Sequence, residues 1–203
     1  MQSSVDKGFV SLQLGDYTMA QTFFSAVLSH KPNHYEARLG MGKALLQQAA
    51  TQHEDTLLWR QALIHLEAAR TLRPQQEHID GLLSEVWALH GRHLLDGGDT
   101  LASLSALSRA IELQPRSVEP LNLVGIIYFR MGDEAKAEVL FNKAATLDTL
   151  HPSAPFNLGM MRWSQGDVLG AREQWLRALK CAPRDEDILY WFALAQKEAQ
   201  ALQ

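Results

Sequence analysis

Cysteine is nearly absent: Cys181 is the single one in 203 residues. One thiol closes no internal disulfide and builds no thiolate metal cluster. Seven prolines and thirteen glycines leave room for long helices. No apolar run approaches the roughly 18 residues that would suggest a membrane span. The opening stretch, MQSSVDKGFVSLQLGDYTMA, has no basic segment followed by an apolar one, so it does not read as a signal peptide. These features point to a cytoplasmic chain, and an excised or mature chain stays open. Positive charge is thin as well. Lys and Arg total 19 against 23 Asp and Glu, for a net charge of −4. The cations are scattered, as at Arg70 and Arg73, Arg109 and Arg116, Lys136 and Lys143. Such a chain lacks the broad positive field that nucleic-acid binding needs, and no nucleic-acid partner is expected.

Catalytic signatures are also missing. The chain contains no GxGxxG, no phosphate-binding loop, no Gly-x-Ser-x-Gly elbow and no HExxH. His90 and His93 lie three apart, with His78 earlier, but the spacing fixes no third metal ligand. His90 reads more simply as a packing residue beside Gly91. Asp96, Asp99 and Asp133 read as helix-end and cap residues. The acidic runs Glu54-Asp55 and Asp185-Glu186-Asp187 fall near helix starts, where the helix dipole favours them. Cys181 reads as a core cysteine near a helix end. No enzyme, no cofactor and no metal are expected.

What is present is a repeat. LGDYTMAQTFFSAVLSHKP returns as GGDTLASLSALSRAIELQP, MGDEAKAEVLFNKAATLDT and QGDVLGAREQWLRALKCAP. WRQALIHLEAARTLRP keeps the second half of the design and lacks the Gly-Asp turn. Gly98, Gly132 and Gly166 are 34 residues apart, as are Gly91, Gly125 and Gly159, and Ala110, Ala144 and Ala178. Each period holds two amphipathic helices. In the first, Leu121, Val124, Gly125 and Tyr128 share one face. A mid-helix glycine costs about 1 kcal/mol relative to alanine, so its recurrence implies a partner helix too close for a side chain. Gly132-Asp133 ends one helix and opens the next. Ala137, Phe141 and Ala144 then form a small-large-small stripe. Prolines follow at Pro32, Pro74, Pro115 and Pro183.

With these residues the chain resembles the tetratricopeptide repeat family. The glycine of the family's Leu-Gly pair matches Gly8, Gly42, Gly91, Gly125 and Gly159. Its first alanine matches Ala20, Ala62, Ala137 and Ala171, with Ser103 in the remaining unit. The aromatic matches Phe24, Phe141 and Trp175, with Leu66 and Leu107 in its place elsewhere. The later alanine matches Ala69, Ala110, Ala144 and Ala178, with Val27 replacing it in the first unit. Ser4, Lys7 and Ser11 depart from the pattern. The resemblance implies an all-α, TPR-type α-solenoid: a right-handed superhelix of antiparallel helix pairs forming a single domain over 1–203. It implies about five repeats, at 1–34, 35–76, 77–117, 118–151 and 152–185, and a capping helix over 186–202. In that cap Leu189, Phe192 and Ala193 are expected to face inward. The second and third units exceed 34 residues, which predicts long helices at 55–72 and 77–96. These are expected to pair along their whole extent, as a tolerated length change or as a binding projection.

Members of this family hold partner proteins, and the first helix of each pair lines the concave face. That implication selects Asn122, Ile126, Phe129 and Arg130 in the fourth unit. It selects Phe156, Asn157, Met160 and Trp163 in the fifth, and Tyr190 and Leu194 in the cap. Earlier units offer a more polar mixture of Val5, Phe9, Leu39, Lys43, Glu85, Arg92 and Asp96. The C-terminal row is an exposed apolar groove for a partner segment, or filler within a tight superhelix. Asn157 matches the central asparagine of the carboxylate-gripping subtype, but Asp187 and Trp191 stand where its later cations would be. The expected function is a non-catalytic protein-interaction module or scaffold for a protein or peptide partner. The alternative is a homo-oligomer formed through the same apolar surface or the N-terminal unit.

Overall fold

A computed structural model describes residues 2–51 and 57–201. Among the described residues there are eleven α-helices and no strand. They fall into two compact units, Met1–Pro115 and Arg116–Gln203. The first unit holds α1 (Gln2–Gln13), α2 (Tyr17–His30), α3 (Tyr35–Thr51), α4 (Leu58–Leu72), α5 (Glu77–Asp96) and α6 (Thr100–Leu113). The second holds α7 (Val118–Arg130), α8 (Glu134–Leu147), α9 (Ser153–Ser164), α10 (Val168–Cys181) and α11 (Glu186–Ala201). Within each unit every helix packs on the next in chain order, and first helices also touch, α1 on α3 and α7 on α9.

Four of the turns within pairs share one construction. Gly15, Gly98, Gly132 and Gly166 adopt φ between 78 and 84°, where a side chain would be strained. The following aspartate closes the ended helix with its own N–H, as Asp133 does onto Tyr128 O at 2.9 Å. Its carboxylate then caps the new helix, Asp16, Asp99, Asp133 and Asp167 each accepting from a backbone N–H three residues on at 2.9–3.2 Å. Lys136 ion-pairs with Asp133 at 2.7 Å, and this contact with the cap holds the carboxyl below its usual range.

The recurrent glycines mark the contact that locks each pair. Gly8, Gly42, Gly91, Gly125 and Gly159 lie against Phe24, Leu66, Leu107, Phe141 and Trp175. A Cβ on Gly125 would stand 2.5 Å from Phe141 Cε1, and one on Gly91 2.6 Å from Leu107 Cγ. Carbon atoms pack best at about 3.5–4.0 Å, so no side chain fits there. The small residues that flank each large one, from Ala20 and Val27 to Ala171 and Ala178, are 0–1% exposed. Where a residue of these stripes carries a polar side-chain atom, that atom is satisfied. Ser103 Oγ donates to Gly91 O at 2.7 Å, and Trp175 Nε1 to Phe156 O at 3.1 Å. Gly40 adds a contact the repeat alignment did not select: it too lies against the Phe24 ring.

Several expectations are corrected. The fourth helix begins at Leu58 and is 15 residues long, against 20 in α5, so the two are not matched in length. Among the described residues, α3 (17 residues) and α5 are the two longest helices; both are first helices, whose principal partners are α4 and α6. Residues 52–56 of the AATQHEDT stretch lie outside the described residues. In α11 the buried face is Ile188, Ala195 and Ala199 with half-buried Trp191 and Phe192, whereas Leu189 and Ala193 are exposed. A helix rotates about 100° per residue, and the large indole of Trp191 turns this face by one position. Cys181 is half-buried at the end of α10, its thiol directed at Thr149 O and Arg177 O.

Candidate partner-binding face of the second unit

The selected residues sit on the first helices of the second unit, α7 and α9, and on the terminal helix α11. They fall into three environments. Ile126 and Phe129 are half-buried against a core of Ala137, Phe141, Leu158 and Met161. Phe156, Met160 and Trp163 are half-buried against a second core built on Ala171, Trp175 and Ala178. Tyr190 stands 63% exposed on α11, its ring edge-on to Trp191 at 5.5 Å.

Three indoles join α9, α10 and α11. Trp163 lies 5.8 Å from Trp175 and 6.3 Å from Trp191, and Trp175 lies 5.6 Å from Trp191. Trp163 therefore supports the fold as well as presenting an edge. Sequence reasoning undervalued Trp191, which it placed only as the residue in a cation's position. The available signal was its spacing, three beyond the buried Ile188.

The polar members separate. Asn122 is 4% exposed, so it is a structural link and not a surface group. Its Nδ2 donates to Ser153 Oγ at 2.7 Å, joining α7 to α9, while its Oδ1 is buried without a partner. Asn157 is half-buried and Arg130 is exposed. At the rim, Arg162 pairs with Glu138 at 2.5 Å and Gln165 donates to Glu134 at 2.7 Å, fixing α9 to α8. In the first unit, Val5 and Leu39 are buried in the core and Phe9 packs edge-on against Phe24 at 5.1 Å, so the expected polar mixture is thinner than the sequence implied.

His90 packs against another helix, on Trp59 of α4. It stacks on Trp59 with centroids 3.7 Å apart and planes 16° from parallel. Burial, then Arg60 and His93, push its pKa down. Among the described residues no three His, Cys, Asp or Glu side chains converge as a metal site would require. Among the same residues no helix is long and apolar enough to cross a membrane.

Helical hairpins that bury their faces only against their neighbours define a repeat protein. The tetratricopeptide repeat family model matches residues 88–155. Mouse protein O-mannosyl-transferase TMTC1 is 26% identical over 163 residues, covering 77% of this chain. The chain spans only 15% of that relative's length. Two solved structures share the fold. TTC0263, a thermophilic tetratricopeptide protein of Thermus thermophilus, is 25% identical, with a TM-score of 0.54 over 96% of this chain and 98% of its own. YrrB, described as a TPR protein with an unusual peptide-binding site, is 17% identical, with a TM-score of 0.57 over 92% and 89%.

Proposed function

We propose that this chain is a non-catalytic scaffold whose second unit receives an apolar segment of a partner protein along α7, α9 and α11. The observation that carries this is the set Phe129, Phe156, Met160, Trp163 and Tyr190. These large apolar side chains remain partly or largely exposed on the first helices and the terminal helix, outside the stripes that lock the pairs. Aromatic anchors of this kind carry a disproportionate share of binding energy, and a helix or extended segment laid across them is a common recognition mode. The peptide-binding site named for YrrB gives the same fold a precedent.

Phe156, Met160 and Trp163 all pack against the core that holds Trp175, so substituting them mixes folding with binding. The test therefore uses Tyr190, which is 63% exposed on α11. A Tyr190→Ser variant removes the most exposed anchor of the face. Affinity capture with the native chain and with this variant, each checked for helicity, is expected to show partner binding weakened by at least about 1–2 kcal/mol. Retention of every captured partner by the folded variant would place the binding face elsewhere.

One observation favours self-association as a second reading. Val10, Leu14 and Met19 are exposed on the α1–α2 hairpin, beside an open pocket of about 410 Å³ that includes Val10 and Phe23. Light scattering across a concentration range distinguishes the readings, because a strict monomer at high concentration removes this one.

A further inference from the structure

The terminal helix α11 stands in the register of a first helix. At the 34-residue period, Leu189 follows Leu121 and Pro155, Phe192 follows Val124 and Leu158, and Ala193 follows Gly125 and Gly159. The packed faces agree as well. Ile188 and Ala195 are buried, as are Ala154 and Met161 one period earlier and Pro120 and Ile127 two periods earlier. This face of α11 rests on α10. The other face differs. In α7 and α9 it is buried, and Phe141 and Trp175 of the second helices close over Gly125 and Gly159. In α11 Leu189 is 43% exposed, Phe192 is half-buried and Ala193 is exposed. Among the described residues, α11 therefore carries the seat for a large side chain and no second helix that fills it.

Exposed leucines scattered singly are ordinary. These residues are not scattered. A rotation of about 100° per residue places Leu189, Phe192, Ala193 and Gln196 on one stripe, apart from the Ile188–Ala195 face and from the side that carries Tyr190. The molecule shows five times what covers such a stripe. Phe24, Leu66, Leu107, Phe141 and Trp175 each lie on the glycine at this position. The free stripe of α11 thus continues an interface that the chain already builds. A second copy has no matching helix to offer. In every second helix the small-large-small stripe, from Ala20, Phe24 and Val27 to Ala171, Trp175 and Ala178, is already 0–1% exposed.

We infer that α11 completes a sixth pair with a single amphipathic helix supplied by a partner protein. By the precedent of the hairpins, that helix runs antiparallel to α11 and sets a Leu, Phe or Trp over Ala193, between small residues four before and three after. One departure from the other pairs bears on the source of the helix. A Cβ at Gly125 would stand 2.5 Å from Phe141 Cε1, so over Ala193 the large side chain must sit about 1 Å or more farther out. A helix untethered by a tight turn can adopt that spacing. This surface lies on a different side of α11 from the Tyr190 face proposed above and does not depend on it.

The probe is a synthetic peptide with the α8 sequence Glu134–Leu147, in which Ala137, Phe141 and Ala144 form the stripe. A covalent staple across its exposed side holds it helical, since so short a helix is marginal alone. It is titrated into the isotope-labelled full chain, and the amide signals of Leu189, Ala193 and Gln196 are expected to shift to saturation. The Phe141→Ala peptide is expected to bind at least about tenfold more weakly. Ala193→Arg in the chain fills the seat on an exposed position, and with its fold checked by thermal melting it is expected to weaken binding at least about tenfold. Val139→Arg, the same added charge on the exposed side of α8, is expected to leave binding within about twofold. No shift at Ala193, or equal binding of the two peptides, overturns the inference. Equal losses in Ala193→Arg and Val139→Arg also overturn it, because charge alone would then explain them. Shifts confined to Met160 and Tyr190 overturn it while supporting the face proposed above. Dimerisation of the chain alone that Ala193→Arg abolishes overturns it in favour of a second copy.

Discussion

Replacing Gly125 with alanine should destabilise the second unit, although alanine is the better helix former. Intrinsic propensity favours Gly125→Ala by up to about 1 kcal/mol in the middle of α7. The new methyl, however, would lie 2.5 Å from Phe141 Cε1 and 2.8 Å from Cδ1. Phe141 is 1% exposed and flanked by buried Ala137 and Ala144, so its ring has nowhere to retreat. Overpacking of this kind costs about 1–3 kcal/mol, which after the propensity gain leaves a net loss of up to about 2 kcal/mol. Gly81 supplies the control. It too lies inside a helix, α5, but its added Cβ would meet only the tip of the Gln114 side chain, at 3.4 Å. Gly81→Ala should therefore stabilise by about 0.5–1 kcal/mol. Urea denaturation followed by far-ultraviolet circular dichroism compares the two under identical conditions. The mechanism makes a sharper demand in a Phe141→Ala background, where Gly125→Ala should become stabilising because the opposing ring is gone. If Gly125→Ala stabilises the native chain, or stays harmful without the ring, the close-approach explanation is wrong.

Further outcomes follow from the turns and the buried imidazoles. Gly132→Ala forces alanine to φ 81° with open space around it, so its cost is backbone strain alone; thermal melts should show a loss of about 1–2 kcal/mol. His65 is held near a pKa of about 4 by burial and then by Arg38, whose NH1 lies 3.2 Å from its Nδ1. Its folded pKa lies below the unfolded value of 6.5, so the folded state binds fewer protons. The stability it contributes is present above pH 6.5 and is lost as pH falls towards 4. His90 acts in the same direction. Melting temperatures measured from pH 7 to 4 should fall less steeply for His65→Asn than for the native chain, and equal slopes would refute the assignment.

The sequence by itself determined the local rules of this protein. A 34-residue period, a Gly-Asp pair at each turn and a small-large-small stripe are instructions read within one hairpin, where chain neighbours and one facing helix decide the outcome. That is why Gly125 and Phe141, sixteen positions apart in the chain, could be paired in advance. Tertiary structure alone decided what depends on helix rotation and on contacts between hairpins. Asn122 and Ile126 share a helix face by spacing, yet Ser153 from the next repeat draws the first into the interior. In α11 the periodicity allowed more than one inward face, and packing against Trp175 selected the one with Trp191 over the one with Leu189. Extra length in the second repeat was legible as a count, whereas the start of α4 at Leu58, not at residue 55, came only from the structure. The pocket lined by Ser153, Phe156, Asp185, Asp187 and Ile188 draws on side chains from two helix starts. Their convergence follows from the rotation of each hairpin against the next, a quantity that no single repeat encodes.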